Sequence, residues 1–262
     1  MARVIVVTSG KGGVGKTTVT AALGRALARK GKRVVVMDAD LGLNNLDVVL
    51  EAERRVVYDI LDVVENRCRA RQALVEDLYA AGLYILPGTS YGDERRFGGQ
   101  ALRAVIHSLA PSFDFILIDC PAGIEAGFHR AVAAADEALL VTTPHISAIR
   151  DADKVAAILK SYSLATNLIV NRVRGDMILD GQQLSAEDIV RLLKLPPIGV
   201  LPESDAVNIY NRFDAKGKER AEGDPIGLLA DNLIGGGRVL YDATKKYRGL
   251  FGGIKRSLKK LV

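Results

Sequence analysis

The segment Ser9-Gly10-Lys11-Gly12-Gly13-Val14-Gly15-Lys16-Thr17-Thr18 limits what this chain can fold into more than any other stretch. It follows an apolar, β-branched run, Arg3–Thr8, and opens a helical pattern over Gly15–Lys30. Strand, glycine loop and helix in that order, with Gly10, Gly15, Lys16 and Thr17 filling GxxxxGK[ST], make a phosphate-binding loop. The residue types follow from the chemistry. Glycines adopt the backbone angles that turn successive N–H groups onto phosphate oxygens. The helix behind them adds the positive end of its dipole. Gly10, Gly12, Gly13, Val14, Gly15, Lys16, Thr17 and Thr18 are therefore expected to cradle a nucleotide's phosphates. Lys16 neutralises β/γ charge, and Thr17 offers its hydroxyl to Mg²⁺. The alternative, a strand–helix turn with an incidental lysine, does not account for all four filled positions.

Such a loop needs a parallel strand behind it, and the rest of the chain supplies the sheet. Short apolar runs recur at Arg33–Met37, Leu83–Leu86, Phe113–Ile118, Glu137–Val141, Asn167–Val170 and Ile198–Val200. Their near-continuous hydrophobicity marks strands buried on both faces. Helical segments lie between them at Gly99–Leu109, Ile146–Ser161 and Ala186–Leu193, with shorter covering helices expected at Tyr58–Val64 and Gln72–Leu78. The alternation predicts an α/β fold, a doubly wound, mostly parallel sheet flanked by helices, with ligands beyond the carboxyl ends of the strands. With 48% hydrophobic and 26% charged residues over 262 positions, the chain can bury a full core. Its two cysteines, Cys68 and Cys120, are too few for a disulfide framework or a Cys-only zinc site, and a reducing, cytoplasmic setting is expected. No run nears the ~18 apolar residues of a transmembrane helix.

Carboxylates stand where strand ends should place them. The second strand runs into Asp38-Ala39-Asp40, whose two acids share one face of an extended chain. A polar turn is the bland reading. After a phosphate loop, a site for Mg²⁺-linked or attacking water fits better. A further apolar run, Phe115–Ile118, ends at Asp119, the pattern of an acid that holds Mg²⁺.

The second lysine, Lys11, makes KGGVGKTT resemble the deviant Walker A loop of the MinD/ParA family of P-loop ATPases. Asp38–Asp47 is similar to the switch I region of its division-site branch, and Asp119–Glu125 to the Walker B and switch II region. Thr142-Thr143-Pro144 and Ala148–Lys154 resemble the helix used for partners, with Asp151 and Asp153 as partner residues. The similarity runs from residue 2 to the tail. It implies that Lys11 acts catalytically in trans, across an ATP-driven homodimer, beside Lys16. It also implies that Asp40 orients the attacking water, that Asp38 supports the magnesium shell with Thr17, and that Asp119 is the Walker B acid. Asn171 would read the adenine edge, Pro202 and Glu203 would line the base pocket, and Asn45 would reach the site across the dimer. Asn44 and His145 depart from the common pattern in regions linked to partners.

Charge separates the tail from the body. The formal net charge is +5, but Lys245, Lys246, Arg248, Lys255, Arg256, Lys259 and Lys260 close the chain with no acid among them. Without those seven, 29 basic residues face 31 acidic ones. Tyr247, Phe251, Ile254, Leu258 and Leu261 fall on one helical face, with Leu250 beside it and Lys255 and Lys259 across from it. A basic amphipathic helix of this kind suits an anionic membrane surface. Glycines 249, 252 and 253 lower its helicity off the lipid. Packing on the body and DNA binding are the alternatives, and phosphate contact needs no Phe–Ile–Leu face. The expected organisation is an ATPase domain over 1–244 and a membrane-targeting helix over 245–262. The resemblance implies an ATPase that cycles between cytoplasm and the inner membrane face. It would position the division site through a septation inhibitor and an ATPase activator. A flagellar-number ATPase and a ParA-type DNA-segregation ATPase are the competing functions.

Overall fold

The Val- and Ile-rich runs assemble into one sheet because each must bury both of its faces. The computed structural model describes residues 1–40, 45–89, 98–203, 224–249 and 252. The strands are β1 (Arg3–Thr8), β2 (Val34–Asp38), β3 (Val75–Glu76), β4 (Leu83–Leu86), β5 (Phe115–Asp119), β6 (Glu137–Thr142), β7 (Ala165–Val173) and β8 (Pro197–Pro202). Among the described residues they lie in the order β3-β4-β2-β5-β1-β6-β7-β8. All neighbours are parallel except β3, which runs antiparallel to β4. The doubly wound, mostly parallel sheet read from the sequence is therefore what forms.

Alternation along each strand feeds two cores. Val4 and Val6 of β1 join Ile116 and Ile118 of β5 on one face, while Ile5 and Val7 join Phe115 and Leu117 on the other. The first face is covered by α4 (Gly99–Leu109), α5 (Ala126–Ala133), α6 (Ile146–Ser161) and α8 (Ala186–Leu193). The second is covered by α1 (Lys16–Arg29), the short α2 (Leu46–Val49) and α9 (Pro225–Gly235). Two further short helices, α3 (Ile60–Val64) and α7 (Gly175–Leu179), pack on the first core through Ile60 and Ile178.

The stretch expected as a helix over Gln72–Leu78 is something else. Ala70–Gln72 closes a 3-10 turn, and Val75–Glu76 is the edge strand β3. Side-chain hydrogen bonds compete there with helix formation. The Asp77 carboxylate accepts from the backbone N–H groups of Tyr79 and Ala80 and turns the chain into β4. It also pairs with Arg25 of α1 at 2.8 Å, with both side chains buried. Arg25→Ala leaves that carboxylate without its cation, so a loss of about 3–5 kcal/mol is expected in a urea melt. A loss under ~1 kcal/mol would show that the backbone donors alone satisfy Asp77.

The C-terminal segment divides differently from the 245–262 expectation. After Gly236, in the left-handed region at φ 69, the chain returns to the body. Asn232 there donates to the carbonyls of Ile198 and Val239. Gly175 packs against the backbone of Ala243, where any side chain would collide. Lys245–Tyr247 forms a 3-10 turn, and Tyr247 is only 4% exposed. The first aromatic of the helical stripe thus belongs to the body's packing. Leu250, Phe251, Ile254, Lys255, Leu258, Lys259 and Leu261 lie outside the described residues, and so does Asn44.

Candidate functional site

Parallel register fixes the centre of the site. Asp119, the last residue of β5, pairs with Val7 of β1 on one side and with Asp38 of β2 on the other. The strands end together, so the loop after β1 and the acids after β2 and β5 share one edge. Between β1 and α1 the glycine loop turns through φ 77 at Gly13 and φ 90 at Gly15, angles open to glycine. Gly10 is held for a different reason. A Cβ there would come within 2.3 Å of the Asp151 backbone, so the loop lies flush against α6. Lys11, Gly12 and Gly13 are exposed, Val14 is buried, and Thr18 is half-buried in the first turns of α1.

The charged groups converge on Asp119. Thr17 donates its hydroxyl to Asp119 Oδ2 at 2.6 Å, and Lys16 Nζ lies 3.6 Å from Oδ1. Asp38, one strand away, accepts from the N–H of Asp40 at 2.9 Å and of Leu46 at 3.0 Å. Asp38 is 1% exposed and Asp119 2%. Burial first, and then the charge of Asp119, push the Asp38 carboxyl up to about 7. Burial also raises Asp119, against the pull of Lys16 and the hydroxyls of Thr17 and Thr20. Two buried acids in direct register, of which Asp119 is ion-paired to Lys16, make a site that gains from a divalent cation. Among the described residues no three His, Cys, Asp or Glu side chains form a cage. Mg²⁺ needs none, because it is held by one or two protein ligands together with substrate phosphates. The residues present fit Mg²⁺ bound with a nucleotide.

A pH dependence follows. The folded pKa of Asp38 lies above the ordinary carboxylate value, so its ionisation opposes folding. That cost is absent below about pH 4 and complete above about pH 7. Without nucleotide, Asp38→Asn should therefore gain melting temperature over the native chain between about pH 5 and about pH 8. A constant difference across that range would contradict the burial account.

The residues expected to face the base, Asn171, Pro202 and Glu203, belong to the ends of β7 and β8. Asn171, buried at the end of β7, donates Nδ2 to the Val14 carbonyl at 2.8 Å. The carbonyl can only accept, so the amide is oriented and Oδ1 remains as an acceptor. Asn171, expected only to read the base, thus also holds the phosphate loop. Arg172 follows at φ 57, where the register between β7 and β8 shifts. Pro202 pairs with Val173, and the Glu203 N–H donates to the Val173 carbonyl at 3.0 Å. Asn171, Pro202 and Glu203 are thereby brought to the same sheet edge as the loop.

Lys11 stands apart from the acids. Its exposed Nζ donates to the Ser147 hydroxyl at 2.9 Å, in the first turn of α6. Asp151 pairs with Lys154 on the same helix, and Asp153 is exposed. Ser147 was not singled out by the sequence, nor was Arg174, which pairs with Asp176 at 2.6 Å behind the base edge. Thr20 was also missed, although its spacing of three from Thr17 places both on one face of α1. Cys120 is buried and its thiol pushed up to about 12 by burial, which holds it in the weakly nucleophilic thiol form.

Comparison with known proteins agrees with this geometry. The CobQ/CobB/MinD/ParA nucleotide binding domain matches residues 5–215. The septum site-determining protein MinD of Synechocystis is 50% identical over 210 residues, 80% of this chain and 79% of that protein. The MinC:MinD cell division complex of Aquifex aeolicus aligns with a TM-score of 0.78 and 42% identity, covering 89% of this chain and 96% of that one. MinD of Pyrococcus horikoshii, complexed with Mg-ADP, aligns with a TM-score of 0.79 and 32% identity, covering 90% and 97%. With the loop, the paired acids and Asn171, Pro202 and Glu203 all on one end of the sheet, the chain belongs to the CobQ/CobB/MinD/ParA nucleotide-binding family, on its MinD branch.

Proposed function

We propose that this chain is a Mg²⁺-dependent ATPase that positions the division site by cycling between a free monomer and a membrane-bound ATP dimer. One observation carries the nucleotide part: Asp38 and Asp119 lie in register on adjacent strands, with Lys16 and Thr17 reaching Asp119 from the phosphate loop. Relatives named for septum-site determination, one complexed with Mg-ADP and one with MinC, support ATP, magnesium and a protein partner of the MinC type.

Phosphoryl transfer asks a protein mainly to position groups and neutralise charge. The loop N–H groups and Lys16 bind the β- and γ-phosphates. Thr17, Asp38 and Asp119 would hold Mg²⁺, which would neutralise charge on the phosphate oxygens. Asp40, tied through its N–H to Asp38, orients the attacking water. Asn171 keeps the loop in place with Nδ2 and offers Oδ1 to the adenine amino group. Among the described residues Lys11 bonds to Ser147 and to none of the site's acids, and in the dimer it crosses to the other subunit's nucleotide. Asp151 and Asp153 on α6 meet partners, and the Gly10–Asp151 contact lets that helix bear directly on the loop.

The tail supplies the membrane step. Each basic residue near an anionic leaflet contributes about 1 kcal/mol, and ordering a glycine-containing helix takes much of that back, so a single tail binds reversibly. Two tails on an ATP dimer gain avidity of about 10²–10⁴. ATP thus favours attachment and hydrolysis favours release. Among the described residues no helix is long and apolar enough to cross a membrane. A ParA-type role on DNA would require a basic body, and the body carries more acidic than basic residues. Phosphate release from ATP measured with Mg²⁺ and with EDTA tests the enzymatic core. Turnover confined to the Mg²⁺ sample is the expected result, and equal release in EDTA contradicts the site.

A further inference from the structure

Asp119 has three partners on α1, and two of them have other work to do. Lys16 must turn to the phosphates when nucleotide enters. Thr17 must present its oxygen to the cation, while its single hydrogen can stay on Oδ2. Thr20 has neither task. It is fully buried, one turn along the same helix face, with Oγ1 3.2 Å from Asp119 Oδ1 and 3.0 Å from the Lys16 carbonyl.

We propose that Thr20 is a positioning residue for the cation site, its hydroxyl holding Oδ1 of Asp119 once Lys16 has left for the phosphates. The inference rests on the Mg²⁺-nucleotide reading of this site and adds a residue to it. The geometry divides the carboxylate between two hydroxyls, Thr17 on Oδ2 and Thr20 on Oδ1. That fixes the plane of the group, and orientation is what such outer partners supply to a metal ligand. A buried donor faces no competition from water, and a hydrogen bond to an ionised acceptor is among the stronger kinds. The competing role is a local one. Threonines inside helices commonly bond back to the carbonyl four residues earlier, here that of Lys16. A hydroxyl serving only that carbonyl would leave the cation dependence of binding untouched.

The test is nucleotide binding, read without turnover. Affinity for methylanthraniloyl-ATP is titrated against MgCl₂ for the native chain, Thr20→Val, Thr20→Ala and Thr20→Ser. Removal of such a partner typically weakens metal binding about 10–100-fold. Thr20→Val and Thr20→Ala should each raise the Mg²⁺ concentration for half-maximal enhancement by about tenfold or more. Thr20→Ser, which restores the hydroxyl, should return it to within about twofold of the native value. If Thr20→Val does not fold, Thr20→Ala against Thr20→Ser carries the same comparison. Native half-saturation in the hydroxyl-free variants, or an equal shift in Thr20→Ser, overturns the proposal. A native chain whose binding ignores Mg²⁺ overturns the underlying reading as well, and that outcome is visible in the native sample alone.

Discussion

Asp40→Ala is expected to lower ATP turnover by about 10²–10⁴-fold, the usual scale for losing a positioned base or water-orienting group. Nucleotide affinity should change by less than about threefold, because in the proposed site the phosphate and cation contacts fall to the loop, Lys16 and Asp119. The geometry separates the two roles. Asp38 accepts on both oxygens from the N–H groups of Asp40 and Leu46 and is buried, so it is not placed to orient an attacking water. Asp40 is only half-buried, and its backbone is pinned by Asp38. Such an arrangement aims a carboxylate without sealing it. With turnover blocked, ATP-bound dimers should accumulate, and sedimentation velocity in ATP would show a persistent faster species. Native turnover in Asp40→Ala would remove it from the mechanism.

The second large effect belongs to Lys11. Lys11→Ala should lower turnover by about 10³-fold or more, the scale of a cationic group supplied to a phosphoryl-transfer site from a partner. ATP binding by the monomer should survive, since Lys16 is the ammonium paired with Asp119 in the same chain. The distinguishing readout is oligomeric state. With a non-hydrolysable ATP analogue the native chain should sediment as a dimer and Lys11→Ala as a monomer. In the monomer, Lys11 rests on Ser147, an exposed contact that costs little to break. Ser147→Ala should therefore dimerise as the native chain does. Dimers of normal stability in Lys11→Ala would place its charge outside the interface.

What the sequence made legible was governed by local pattern. The bounds of α4, α6 and α8 fall on the expected residues because each carries an apolar stripe, and α8 also starts on the Ser185 capping box. The pairing of Asp38 with Asp119 was implicit in two apolar runs that each end in an acid. Other features depend on contacts far apart in the chain. The edge strand at Val75–Glu76 exists because β4 and the Arg25–Asp77 pair hold it there, and periodicity alone favoured a helix. The bond from Asn171 to Val14 spans 157 positions and has no local signature. Tyr247 continues the tail's apolar spacing but is buried against the body, so the helical stripe could not mark where the body ends.

In the proposed cycle, nucleotide state controls attachment to a lipid surface through the C-terminal stripe. Co-sedimentation of the full chain with anionic phospholipid vesicles, in ATP and in ADP, tests it most directly. Pelleting should be strong in ATP and weak in ADP, and the paired change Phe251→Glu with Ile254→Glu should abolish it without altering ATP binding. Equal pelleting in both nucleotides, or attachment that survives the loss of Phe251 and Ile254, would contradict the account.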